Sequence, residues 1–193
     1  RSLFGARWIQ EWGRSNEVGF TGLSATPWTR GLGKHYENLI VAATTRDLIA
    51  NGRLCDFRVL APSRPDLRNV STVAGDYHHG QLSRAVDTKR LTADVVKTWL
   101  KEAYGRPTIC YAVDRKHAQH LCDRFNSAGV ASEYIDAYTP ISLRREIAER
   151  MESGQTSVTV NIGCLTTGID WPFVSCISLV RPTRSEILFT QIV

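Results

Sequence analysis

Two stretches of this sequence set hydroxyls, glycines and a carboxylate in an order that suits phosphate chemistry. The first is Asn161-Ile162-Gly163-Cys164-Leu165-Thr166-Thr167-Gly168-Ile169-Asp170-Trp171-Pro172, an apolar run passing into a glycine-bearing loop that ends in an acid. Threonine hydroxyls and free backbone N–H groups suit phosphate oxygens, and Gly168 permits close backbone approach. In open α/β sheets ligands sit beyond the carboxyl ends of the strands, so this loop is where a ligand is expected to touch. The second stretch is Gly22-Leu23-Ser24-Ala25-Thr26-Pro27, a strand end carrying two hydroxyls before a proline. Arg115 and Lys116 open a helix close behind another strand, which makes them candidates for a phosphate contact.

Each stretch also has a plain structural reading. Ser24 and Thr26 could merely begin a turn before Pro27, and Thr166, Thr167 and Asp170 could be a loop with a helix cap. Other residues read as structure. Gly31-Leu32-Gly33 follows no strand and reads as a loop rather than half of a dinucleotide fingerprint. His117 and His120 share helical spacing but lack a third metal ligand, so a solvated helix face is expected. Arg144, Arg145 and Arg150 are read the same way, His78 and His79 as exposed loop, and Trp99 and Trp171 as core.

The elements that would position these residues alternate between strand-like and helix-like periods, which predicts an α/β fold with a mainly parallel sheet. Strands are expected over 18–23, 57–61, 108–113, 133–137, 157–162 and 174–180. A short helix is expected from Arg46 to Asn51, closed by Gly52, and the stretch from Pro62 to Asp87 is expected as mostly loop with room for one short helix. Thr92 or Asp94 is expected to cap the next helix, whose Val95, Val96, Trp99, Leu100 and Ala103 form one apolar stripe. Asp114 caps a helix ended by Gly129, Ser142 starts one ended by Gly154, and Ser185 caps the last.

Composition sets outer bounds. Of the 193 residues, 42% are hydrophobic and 22% charged, which excludes a disordered chain. The net charge of +5 is compatible with a polyanionic partner without demanding one. Five cysteines, an odd number without close pairs, argue against a disulfide framework or zinc knuckle and for a reducing, intracellular compartment. No apolar run is long enough to span a bilayer, so no membrane partner is expected. Arg1 and Val193 read as cut ends.

Taken together and in this order, the motifs resemble those of the superfamily-two helicases, and among them a DEAD/DEAH-type group found in phages and near type III restriction subunits. Ser24-Ala25-Thr26 resembles motif III, which couples the ATP site to the nucleic-acid site. Residues 108–118 resemble motif IV and its following helix. Thr166 to Asp170 resembles motif V, and Gln191-Ile192-Val193 the opening of motif VI. The resemblance implies a RecA-like lobe over residues 56–193, preceded in residues 1–55 by the closing part of a first lobe and a linker. It implies that Thr166, Thr167 and Arg115 meet nucleic acid, single- or double-stranded with DNA favoured. Gly168, Asp170 and Gln191 would lie by the nucleotide. ATP and Mg2+ are the implied cofactors, acting in a full-length parent with a cytoplasmic, bacterial or phage setting.

The departures from the family pattern carry as much weight. The sequence contains no G-x-x-x-x-G-K-[ST] phosphate loop and no DEAD or DEAH carboxylate pair, and motif VI stops before its arginines. The chain alone is therefore expected not to hydrolyse ATP. The rival from another class is a non-catalytic binding module on a RecA-like scaffold. A nucleotide-binding enzyme of another kind is a third reading, and the paired hydroxyl motifs argue against it.

Overall fold

In the computed structural model the described residues are 19, 21–24, 26–27 and 31–192. Backbone packing divides the chain into two compact units, 1–59 and 60–193. In the first, a 3-10 turn at Leu32–Lys34 precedes helix α1 (Thr45–Ala50). Thr44 caps α1 through a full capping box: its Oγ1 accepts from the Asp47 N–H, and the Asp47 carboxylate accepts from the Thr44 N–H.

The second unit opens with a small antiparallel hairpin, β1 (Thr72–Val73) and β2 (Asp76–Tyr77), and then helices α2 (His79–Val86) and α3 (Lys89–Glu102). Strand and helix alternate after that: β3 (Thr108–Tyr111), α4 (Arg115–Ser127), β4 (Ser132–Ile135), α5 (Ile141–Glu152), β5 (Val158–Asn161), β6 (Cys176–Leu179) and α6 (Glu186–Ile192). The four long-range strands form one all-parallel sheet in the order β4-β5-β3-β6. β3 and β5 sit centrally and are buried at every position, which is why Thr-Ile-Cys-Tyr and Val-Thr-Val-Asn read as continuous runs rather than alternations.

Each face of the sheet buries its own cluster. On one, α3 and α4 bring Val96, Trp99, Leu121 and Phe125 against Cys110, Val158 and Val160. Phe125 meets Trp99 edge-on with centroids 5.8 Å apart, and the Trp99 indole N–H donates to the Thr108 hydroxyl at 2.7 Å. Truncating Phe125 to Ala would cost about 3–5 kcal/mol for a buried phenylalanine. The other cluster gathers Ile109, Tyr111, Ile135, Ile147, Leu165 and Ile192. Gly129, at φ +78, supplies the left-handed residue that ends α4, where the Val130 N–H returns to the Phe125 carbonyl at 3.0 Å.

Several expected elements differ. The strand expected over 18–23 is absent where it can be seen: Gly19, Thr21, Gly22 and Leu23 are exposed and unpaired, and Val18 and Phe20 lie outside the described residues. Phe57–Ala61 likewise forms no ladder. A strand needs a neighbour, and among the described residues before Leu60 there is none. Residues 62–87, expected as mostly loop with one short helix, hold that helix as α2 and, beyond the expectation, the hairpin. α3 begins earlier than expected, because Thr88 rather than Thr92 or Asp94 caps it by accepting from the Leu91 N–H at 3.2 Å. α5 begins after Pro140 with no side-chain cap from Ser142. The five cysteines are free thiols, Cys110 fully buried and Cys55 exposed. No helix of the described residues is long and apolar enough to cross a membrane.

Candidate functional site

The parallel sheet presents all its strand ends on one edge, and the loops leaving it carry most of the singled-out residues. From β5 the chain runs into 162–175 without a helix before β6. That loop is clamped at one residue. Asn161, the last of β5 and fully buried, donates from Nδ2 to the Cys110 carbonyl at 3.2 Å and accepts at Oδ1 from the Leu165 N–H at 3.4 Å. From the adjacent strand, the Tyr111 hydroxyl donates to the Leu165 carbonyl at 2.6 Å. Both polar groups of the Leu165 backbone are thereby held by strand side chains, while its side chain joins the second cluster. Burial pushes the Tyr111 hydroxyl up to about 12, so it stays protonated and remains a donor at neutral pH.

Thr166 closes the next turn, donating from its hydroxyl to the Gly163 carbonyl at 3.0 Å. Its oxygen keeps lone pairs for accepting but its proton is committed. Thr167, Gly168 and Asp170 are exposed. Gly168 stands at φ +74, and a Cβ built there meets nothing within 4 Å. Its glycine is therefore required by backbone conformation rather than by crowding within the chain.

A second cluster leaves β4, the neighbour of β5. Asp136 accepts from the Tyr134 hydroxyl at 2.9 Å, the Tyr138 N–H at 2.8 Å, the Thr139 N–H at 3.1 Å and Arg115 Nε at 3.1 Å. Burial works to raise this carboxyl, but the hydrogen bonds and the Arg115 charge outweigh it and hold it below the usual range. Arg115 also lies across the Tyr138 ring, its guanidinium carbon 4.2 Å from the centroid. Arg144 donates to the Thr139 and Asp136 carbonyls, both at 2.9 Å.

These contacts correct the expectation of solvated arginine faces for Arg144 and Arg150, while Arg145 is exposed as expected. Arg144 is half-buried and ties down a loop, and Arg150 is paired with Glu133, Nη2 to Oε1 at 2.7 Å, because β4 places that carboxylate beside α5. The His117 and His120 expectation fails in part. His117 is fully buried, its Nδ1 accepting from the Val113 N–H at 3.3 Å and its Nε2 without a partner. Burial depresses its pKa, so it sits neutral. His120 is exposed and meets Asp87 at 2.9 Å. Helical spacing alone could not reveal that the end of the preceding strand segment, through the Val113 N–H, closes back onto one of the two. His78 caps α2 rather than sitting in a loop. Trp99 is core, whereas Trp171 is half-buried and stacked on Phe173 at 5.8 Å.

At the β6 end, Asp76 of the hairpin receives the Thr183 hydroxyl at 3.0 Å and the Arg184 N–H at 2.8 Å, with Arg181 at 3.7 Å. The hairpin is thus fastened to the segment that leads into α6.

The structure places Thr166, Thr167, Gly168 and Asp170 in one loop, and Arg115 on the same sheet edge, since β3 and β5 are parallel neighbours with Tyr111 opposite Asn161. Gln191 is exposed on α6, and Val193 lies outside the described residues. Ser24 and Thr26 belong to the other unit. There the Ser24 hydroxyl accepts from the Thr26 N–H at 3.1 Å and Thr26 is buried, while Ala25 lies outside the described residues. Sequence reasoning assigned no role to Tyr111, Asn161, Asp136 or Tyr138. A polar residue ending an otherwise buried strand, as Asn161 does, was the available signal.

Residues 91–193 match the family model described as helicase conserved C-terminal domain. A Saccharomyces cerevisiae protein provisionally named ATP-dependent helicase IRC3 is 28% identical over 180 residues, covering 91% of this chain and 26% of that protein. A 51.5 kDa protein of a Lactococcus phage is 30% identical over 173 residues, covering 88% of this chain and 38% of that protein. Among solved structures, the Pyrococcus furiosus Hef helicase domain aligns with a TM-score of 0.44 and 16% identity over 60% of this chain and 22% of its own. The chain thus spans about a quarter to two fifths of the length of the curated relatives it matches.

Proposed function

Because the chain belongs to the helicase conserved C-terminal domain family, we propose that it supplies the second motor lobe of an ATP-dependent helicase or translocase. In this reading residues 56–193 are that lobe, and 1–55 are the close of a first lobe with its linker. The observation that carries it is the loop after β5. Two strand side chains fix Leu165, and the exposed hydroxyl and backbone of Thr167 and Gly168 follow directly on the sheet's carboxyl edge. A rigid donor array there suits a phosphodiester backbone, which is contacted for position and not for sequence.

In the parent, nucleotide would bind against this lobe and drive a cycle of closing and opening that moves the protein along the strand. This sequence has no phosphate-cradling lysine loop and no magnesium-binding acid pair, so the phosphates and metal must be held by other parts. What the chain offers is Asp170, an exposed carboxylate fit to accept from ribose hydroxyls, with Gln191 on α6 as the further contact. Ser24 and Thr26 would couple strand movement to hydrolysis, and DNA is the favoured polymer, in a cytoplasmic setting.

The test compares the 193-residue chain with its full-length parent in ATP hydrolysis, with and without DNA and RNA strands. The chain alone should show no turnover above background, and the parent should show strand-stimulated turnover. Turnover by the clean chain, or a parent indifferent to nucleic acid, overturns the reading.

A further inference from the structure

We propose that Tyr138, with the Arg115 guanidinium laid across one face of its ring, is a stacking platform for an unpaired base. The ligand of this edge is then single-stranded rather than duplex nucleic acid. The inference rests on the nucleic-acid reading above and adds the strand state that the lobe selects.

Tyr138 is 78% exposed, an unusual position for so large an apolar ring, and its hydroxyl has no hydrogen-bond partner among the described residues. It is nevertheless held in place. Its own N–H and Arg115 Nε both bond the Asp136 carboxylate, which Tyr134 and Thr139 fix in turn. One face of the ring is taken by the guanidinium, 4.2 Å from the centroid, and the exposure leaves the opposite face to solvent. β4 and β5 are parallel neighbours with Ile135 opposite Asn161, so Tyr138 leaves the sheet on the same edge as Thr167 and Gly168. Phosphate donors and an aromatic face on one edge are the two halves of a single-strand site. Every base has a π-face to stack, and the cation behind the ring strengthens the contact. Bases within a duplex already have both faces covered, so only an unpaired base can use the platform.

Fluorescence anisotropy of the 193-residue chain with labelled oligothymidylate of about a dozen nucleotides, an abasic strand of equal length and the corresponding duplex tests this. The wild-type chain should prefer the strand to the duplex. Tyr138→Ala should weaken strand binding about fivefold or more, and Tyr138→Phe should bind like wild type. On the abasic strand Tyr138→Ala and wild type should coincide. Thr167→Val is the separate probe of the backbone contact. If Thr167→Val weakens the strand complex but Tyr138→Ala does not, or if Tyr138→Ala loses as much on the abasic strand, the platform is wrong while the nucleic-acid reading stands. If the wild-type chain binds neither strand nor duplex, both are wrong.

Discussion

Tyr111→Phe isolates one interaction, the hydroxyl that holds the Leu165 carbonyl. The bond is short at 2.6 Å, Tyr111 is 3% exposed, and that carbonyl has no other partner among the described residues. Phenylalanine keeps the ring packing and opens a void no larger than an oxygen, so the cost is that of a buried acceptor left unsatisfied, about 1–3 kcal/mol. The Asn161 bond to the Leu165 N–H remains, so the loop should not detach. Urea unfolding followed by far-UV circular dichroism should show the midpoint fall by roughly 0.5–1.5 M, using a slope of about 2 kcal/mol per M. A second signature is alkaline. The Tyr111 hydroxyl, ordinarily at 10.0, is pushed up to about 12 in the fold. Its contribution is therefore fully present below pH 10 and lost as pH rises from there through 12. Tyr134, shared by both proteins, cancels in the comparison. The gap between wild type and variant should narrow across that window by up to about 1.4 kcal/mol per pH unit. A neutral-pH difference below about 0.3 kcal/mol, with a gap flat to high pH, would refute the clamp.

Thr167→Val keeps shape and removes a donor; in the parent it should weaken single-strand affinity roughly three- to twentyfold without changing the salt slope, as titrations at several salt concentrations would show. Gly168→Val forces a branched residue into φ +74 and should destabilise the loop by about 1–2 kcal/mol, read as faster amide exchange over 163–170. The Arg150 hydrogen bond holds the Glu133 carboxyl below its ordinary 4.5, so its stabilisation is present above that pH and lost as pH falls. Glu133→Gln should accordingly flatten the acid limb of a thermal stability profile. Asp76→Ala should release the hairpin from Thr183, Arg184 and Arg181, costing about 1–3 kcal/mol and loosening amide protection over 72–77.

The parallel sheet was legible because β3 and β5 are apolar runs broken by clear caps, Asp114 above all, whose carboxylate does accept from the His117 N–H at 2.9 Å. The loop carrying Thr166 to Asp170 was legible because glycines and hydroxyls interrupt that pattern. What positions the loop was not. Tyr111 reads as one more strand aromatic, and only the register of β3 beside β5 reveals that its hydroxyl reaches a residue 54 positions away. Tyr138 likewise looks like ordinary loop polarity until Arg115 is seen to fold over it. His117 misled in the opposite direction, since periodicity within α4 carries no information about the Val113 N–H that returns to its ring in the buried interior. The short hairpin eluded a reading by period because two-residue strands have no period to detect.

The central claim, that this lobe meets nucleic acid through the carboxyl edge of its sheet, is tested most directly by amide hydrogen exchange of the chain with and without a single strand. Protection should concentrate in 136–139 and 163–170, with the amides of Thr167 and Gly168 slowed most. Protection confined instead to the opposite end of the sheet, around Arg106 and Gly129, or none at a concentration where anisotropy reports saturation, would contradict it.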